Sequence, residues 1–138
     1  MDTAEPVPAI RMEGITKRFG KVLAVDNMSF TIPAGVIAGF VGPNGSGKTT
    51  TMRMLATLLK QDSGTAAVFG RDTRTPWEAS EVRHLIGFMP DYFGLYSDMT
   101  ASEYLDFFGA AYRIALERRE KLVEDILALV NLTEKRDS

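Results

Sequence analysis

Gly42-Pro43-Asn44-Gly45-Ser46-Gly47-Lys48-Thr49-Thr50 is the stretch from which the fold can be read. Its spacing is a glycine, four free positions, then Gly-Lys followed by a hydroxyl residue. Before it, Val36-Ile37-Ala38-Gly39-Phe40-Val41 is a short apolar run that reads as a buried strand. After it, Thr51 to Leu59 has the composition of a buried helix. Strand, glycine loop and helix together suit a triphosphate. The first amides of a helix point outward toward an anion. Glycines at 42, 45 and 47 let the backbone approach the phosphate oxygens without Cβ clashes. Lys48 adds a flexible point charge for the β- and γ-phosphates. The Thr49 hydroxyl can ligate a magnesium ion whose other ligands are water and phosphate, and Thr50 can donate to the α-phosphate. An ordinary glycine turn matches this pattern by chance in a chain of this length with odds on the order of 1 in 200. The flanking segments lower those odds further.

Bulk properties narrow the partners. The 138 residues make one domain by length, with 45% hydrophobic and 25% charged residues, the proportions of a globular chain. A net charge of −2 provides no basic field to recruit nucleic acid or anionic lipid. Arg118, Arg119 and Lys121 alternate with Glu117, Glu120 and Glu124, a solvated face and not a nucleic-acid patch. The absence of cysteine excludes disulfides and thiolate metal sites. No apolar run approaches the ~20 residues needed to cross a bilayer, so a membrane role runs through a partner.

In chain order, Ile10 and Met12 alternate with Arg11 and Glu13 as in a half-buried strand, and Phe19-Gly20-Lys21 reads as a turn. Met28 to Ile32 alternates again, giving an antiparallel, strand-rich opening. Lys60 to Gly64 is a polar turn with a helix-stopping glycine, and Thr65 to Phe69 a short strand. Thr75-Pro76-Trp77-Glu78 has the form of a capping box and opens a helix to about His84. Trp77 reads as a packing residue and His84 as a surface one. Leu85 to Met89 reads as another buried strand, stopped by Pro90. Thr100-Ala101-Ser102-Glu103 is a second capping box, starting a helix to about Arg113 with Tyr104, Leu105, Phe108, Ala111 and Tyr112 on one side. Val123, Ile126, Leu127 and Val130 mark the buried stripe of a helix from Glu117 to Asn131.

Three features together resemble the nucleotide-binding domain of an ATP-binding-cassette (ABC) protein. They are Ile15 to Asp26 with an aromatic at the A-loop position, the loop Gly42 to Thr50, and Ile86-Gly87-Phe88-Met89-Pro90-Asp91 followed by Leu95-Tyr96 and Met99-Thr100, a Q-loop-like passage. The resemblance runs from about residue 10 to 135. It implies an α/β fold of the P-loop NTPase type, a RecA-like core with an antiparallel β subdomain at the N-terminus and the start of a helical subdomain. Residues 8–138 would form one ATP-binding domain, incomplete at its C-terminus: 10–35 antiparallel, 36–90 core, 91–138 helical.

By that resemblance Phe19 stacks on adenine with Val25 beside it. Gly42, Pro43, Asn44, Gly45, Ser46, Gly47, Lys48, Thr49 and Thr50 hold the phosphates, and Thr49 holds Mg2+. Lys48 and Asp91 are the catalytic candidates, Asp91 also reaching the metal through water. Asp91 stands where the family usually has glutamine, a variation shared with some exporters. Leu85 to Asp91 can alternatively be read as a Walker B strand ending in a metal-holding carboxylate. Implied partners are a transmembrane permease, docked near Tyr92 to Met99, and a second nucleotide-binding domain. The implied location is cytoplasmic, peripheral at the membrane through the permease. The family's signature helix, Walker B strand and switch histidine have no counterpart after Asn131. The chain is therefore expected to be an N-terminal portion, to expose an apolar sheet edge, and to bind ATP with little turnover. A non-transport ABC ATPase and a truncated nucleotide binder remain open at this point. An unrelated GTPase is disfavoured by the lack of an Asn-Lys-x-Asp motif.

Overall fold

The structure is a computed structural model that describes residues 6–92, 94 and 98–138. By contact it divides into two units, Met1–Met89 and Pro90–Ser138.

The first unit is built on a hairpin of β1 (Ile10–Phe19) and β2 (Val22–Ile32), turned at Gly20-Lys21. Strand β3 (Ser63–Val68) lies antiparallel on the other side of β1, and β4 (Arg71–Asp72) completes the order β2-β1-β3-β4. Helices α1 (Lys48–Leu55) and α2 (Pro76–Leu85) belong to the same unit. Met12, Ile15, Val25, Met54 and Ala66 form the buried centre, so α1 meets the sheet through Met54 while β1, β2 and β3 each contribute. Polar alternation along β1 gives way where the ladder is irregular. Between Met12 and Ile15 the register advances three residues on β1 against two on β2, from Phe30 to Met28. Beside β3 the same segment again carries one residue more, Glu13 to Thr16 against Thr65 to Ser63. Such bulges bend and twist a strand. The bend brings the backbone of β3 close in: a Cβ on Gly64 would lie 2.4 Å from the Gly14 carbonyl oxygen, and Gly64 has φ +84.

Asp62, just ahead of β3, grips β1 by backbone and side chain. Its amide donates to the Thr16 carbonyl at 2.9 Å, and its carboxylate accepts from the Arg18 amide at 2.7 Å and from Lys17 Nζ at 2.8 Å. The hydrogen bond from Lys17, with that from Arg18 behind it, holds the carboxyl below its ordinary range.

Four sequence expectations are corrected here. Residues 36–41 and 86–89 are not strands; Ile37, Val41 and Met89 are 104%, 93% and 81% exposed. A strand exists only when a neighbour takes up its amides and carbonyls, and among the described residues every strand pairs antiparallel within β2-β1-β3-β4. The helix expected to reach Leu59 ends at Leu55, with Thr57 in a left-handed conformation at φ 61. The Thr75 capping box is absent: Thr75 makes no cap hydrogen bond, and Glu78 instead accepts from the Asp72 amide at 2.6 Å, tying α2 to β4.

The second unit is an αα-hairpin of α3 (Ala101–Ala111) and α4 (Leu116–Leu129), followed by a 3-10 turn at Thr133–Lys135. Here the expected capping box is present. The Glu103 amide donates to Thr100 Oγ1 at 3.3 Å and the Thr100 amide to Glu103 Oε2 at 2.8 Å. Val123 and Leu127 are buried as the periodicity requires, but Val130 is exposed. On α3 the expected apolar side fails at its end, where Tyr112 is 73% exposed. The buried contact is Gly109, whose missing Cβ leaves room for the Arg119 stem; that guanidinium reaches the Asp106 carbonyl and carboxylate, each at 3.3 Å.

Gly64→Ala is expected to lose about 1–3 kcal/mol, because it adds both backbone strain and a clash with carbonyl oxygens. Gly20→Ala, also at positive φ but in open space, is expected to lose less. Thermal unfolding followed by circular dichroism compares the two, and equal losses would contradict the close approach of β3 to β1.

Glu103 is held below its ordinary pKa by the hydrogen bonds from the Thr100 amide and hydroxyl. A depressed carboxylate stabilises the fold above its unfolded pKa, and that contribution is lost as pH falls through the folded value. The melting temperature of Glu103→Gln is therefore expected to lie below the parent's at pH 7, with the gap closing below about pH 4. A gap that is constant with pH would count against the ionised cap.

Candidate nucleotide-binding site

The loop Gly42 to Thr50 lies in the first unit and leads directly into α1. Its position is set by Gly47. With φ 86 this residue is the N-cap of α1, and a Cβ there would lie 2.5 Å from the Ala24 carbonyl oxygen and 3.0 Å from Val25 Cγ2. The partner segment is itself irregular. Between Lys17 and Arg18 the pairing on β2 jumps from Val25 to Leu23, leaving Ala24 as the extra residue. A bulge re-aims the backbone at such a point, and here the glycine loop packs against it.

Within the loop, the Ser46 amide donates to the Pro43 carbonyl at 3.2 Å and Thr51 to Gly47 at 2.8 Å, the first bond of the helical ladder. The N-cap glycine supplies no side-chain acceptor, and the first turn carries no acidic residue. The positive end of α1 is thus left without an internal counter-charge, which suits an external anion. Lys48 Nζ donates to the carbonyls of Gly42 at 2.6 Å and Pro43 at 2.7 Å, so the ammonium is folded over the loop. Asn44, Gly45, Ser46 and Thr49 are exposed, and Lys48 and Thr50 half-buried.

These features fit MgATP on the chemistry of the donors: backbone amides at a helix start, one ammonium, and hydroxyls of Thr49 and Thr50. Among the described residues no group of three or more His, Asp or Glu could hold a metal by itself.

The other sequence-derived residues divide. Phe19 ends β1 and is 50% exposed. Val25 is 3% exposed and belongs to the core; it meets the loop through Gly47. Asp91 occupies an exposed bend at the head of the second unit. The segment Tyr92 to Met99 includes residues 93 and 95–97, which lie outside the described residues.

Sequence reasoning missed Lys17 and Asp62. Lys17 Nζ lies 5.5 Å from the centroid of the Phe19 ring while bonded to Asp62. Its two-residue offset from Phe19 was the available signal, since i and i+2 share a strand face. Nothing in the sequence marked Asp62 as its partner, forty-five positions away.

Comparison with known proteins agrees with this geometry. The family model described as ABC transporter matches residues 25–138. The Nod factor export ATP-binding protein I of Burkholderia lata is 37% identical over 133 residues, covering 96% of this chain and 43% of the relative. The daunorubicin/doxorubicin resistance ATP-binding protein DrrA of Streptomyces peucetius is 36% identical, covering 96% and 40%. The probable multidrug ABC transporter ATP-binding protein YbhF of Escherichia coli is 41% identical over 126 residues, covering 89% and 21%. The chain thus spans less than half the length of these relatives. A solved structure described as the ATP binding subunit of an ABC transporter superposes with a TM-score of 0.76 at 19% identity, covering 94% of this chain and 53% of that one. The antiparallel sheet, the glycine loop closed on α1 and these matches together place the chain in the ABC transporter family, with the P-loop fold of its ATP-binding subunits.

Proposed function

We propose that the chain is the ATP-binding portion of an exporter-type ABC transporter subunit. The observation that carries this reading is the loop itself: Gly47 locked beneath the Ala24 carbonyl, an uncapped helix start, and Lys48 turned over the loop. Export is suggested by the relatives, whose names refer to Nod factor export, drug resistance and multidrug transport.

In this reading the amides at the start of α1 and Lys48 take the triphosphate, Thr50 donates to the α-phosphate, and the exposed face of Phe19 receives the adenine ring. Magnesium bound there would supply charge neutralisation during phosphoryl transfer, and the Thr49 hydroxyl would be the ligand this loop offers it. Residues 8–138 act as one ATP-binding domain with portions at 10–35, 36–90 and 91–138. Tyr92 to Met99 docks a transmembrane permease, and a second nucleotide-binding domain completes the catalytic sandwich. No helix among the described residues is long and apolar enough to cross a membrane; the permease would hold the subunit at the cytoplasmic face.

Two measurements test the binding site. Lys48→Ala is expected to weaken ATP binding about 10–100-fold, the worth of a charge-assisted hydrogen-bond set. Phe19→Ala is expected to weaken ATP about tenfold through lost stacking. Inorganic tripolyphosphate separates them, since only Lys48→Ala should affect it. Equal ATP binding by parent and Phe19→Ala would remove the base assignment.

Hydrolysis also needs an in-line water activated by a carboxylate, and the 138 residues span only 43% and 40% of two ATP-binding relatives. The 138-residue chain is therefore expected to release phosphate from MgATP no faster than Lys48→Ala. Robust magnesium-dependent turnover by the purified chain would overturn that expectation.

A further inference from the structure

Lys17 and Phe19 stand two apart on β1, so their side chains rise from the same face of the strand. The Lys17 ammonium lies 5.5 Å from the Phe19 ring centroid, within the range in which a cation is attracted by the ring quadrupole. A lysine on an open strand end would sample many rotamers. This one is held: its side chain is only 13% exposed, and Nζ donates to Asp62 Oδ1 at 2.8 Å. Asp62 is fixed in turn, because Oδ2 accepts from the Arg18 amide at 2.7 Å and its own amide donates to the Thr16 carbonyl at 2.9 Å. Three consecutive residues of β1 are therefore clasped by one aspartate, immediately before the exposed aromatic. The depressed carboxyl of Asp62 agrees with an ionised partner for the ammonium.

We infer that Lys17, clasped by Asp62, is a positioning residue for the nucleotide base: its ammonium holds the Phe19 ring in one orientation and leaves its other face for adenine. The inference rests on the reading that Phe19 stacks on adenine. The ring is half-exposed, so without the cation nothing shown in the structure fixes its tilt, and a freely rotating ring loses part of its stacking gain on ordering. The clasp also joins β1 to the turn before β3, which a purely structural ion pair would do equally well. The experiment must separate those two roles.

ATP and inorganic tripolyphosphate are titrated against the parent chain, Lys17→Met, Asp62→Asn, Phe19→Ala, the double variant Lys17→Met/Phe19→Ala, and the exchanged pair Lys17→Asp/Asp62→Lys. Lys17→Met and Asp62→Asn are expected to weaken ATP about three- to tenfold, with tripolyphosphate unchanged. Lys17→Met should cost nothing further once Phe19 is alanine. The exchanged pair should recover the ion-pair part of the melting temperature, though not the Arg18 amide's acceptor, without recovering ATP affinity, and Lys17→Arg should retain ATP affinity. Should Lys17→Met fail to fold, Lys17→Gln, which drops the charge and keeps a donor, takes its place. Equal losses for ATP and tripolyphosphate, or an undiminished Lys17→Met effect in the Phe19→Ala background, would reduce the clasp to a structural tie. If Phe19→Ala binds ATP as the parent does, the stacking reading fails first and this inference falls with it.

Discussion

The contact on which the site depends is the one between Gly47 and the Ala24 carbonyl. No side chain fits there, since even a methyl would stand 2.5 Å from the oxygen. The glycine therefore serves two demands at once: it takes the left-handed conformation at the start of α1, and it lets the loop close onto the bulged edge of β2. Loop, helix start and hairpin become one object through this approach. Val25 shows the same coupling from the other side, buried in the core while its Cγ2 borders the Gly47 site. A substitution meant to repack the core at Val25 would reach the phosphate loop directly.

The loop, the two-strand opening and the helical hairpin were legible because each is encoded locally. Glycine spacing defines the loop, alternation defines Met28 to Ile32, and Thr100 with Glu103 defines the start of α3. What escaped was set at a distance. Nothing near Asp62 marks it as the partner of Lys17, and nothing near Ala24 marks it as the residue that bulges under Gly47. The Thr75 box had the right residues but lost its glutamate to the Asp72 amide, a competing donor that only the tertiary fold supplies. Composition also misled. Val36 to Val41 and Leu85 to Met89 are apolar enough to be buried strands, yet apolarity states only that a segment favours burial. It does not provide the neighbouring strand that burial requires.

Residues 86–89 border a groove with Met52, Leu55 and Val68, so part of their surface is covered while Met89 stays open. Val36, Ile37 and Val41 are exposed as well. The chain spans 43% and 40% of two export relatives, and the sheet described here contains only antiparallel pairs. Residues 36–41 and 86–89 have the composition of strands, yet among the described residues neither joins the ladder of β2-β1-β3-β4.

Lys48 shows why the site cannot depend on one charge. An ammonium has three donors, and two already bond the Gly42 and Pro43 carbonyls at 2.6 and 2.7 Å. A phosphate arriving at the loop exchanges at least part of those bonds for its own and does not simply add new ones. The net gain from Lys48 is accordingly smaller than the gross attraction of an ammonium for a phosphate, as for any hydrogen bond formed by exchange. Affinity must then be shared with the helix-start amides and with a surface that gives up little on binding. In the proposed reading the half-exposed Phe19 ring is such a surface, because stacking breaks no internal hydrogen bond, so the charged end of the site exchanges partners where the apolar end need not.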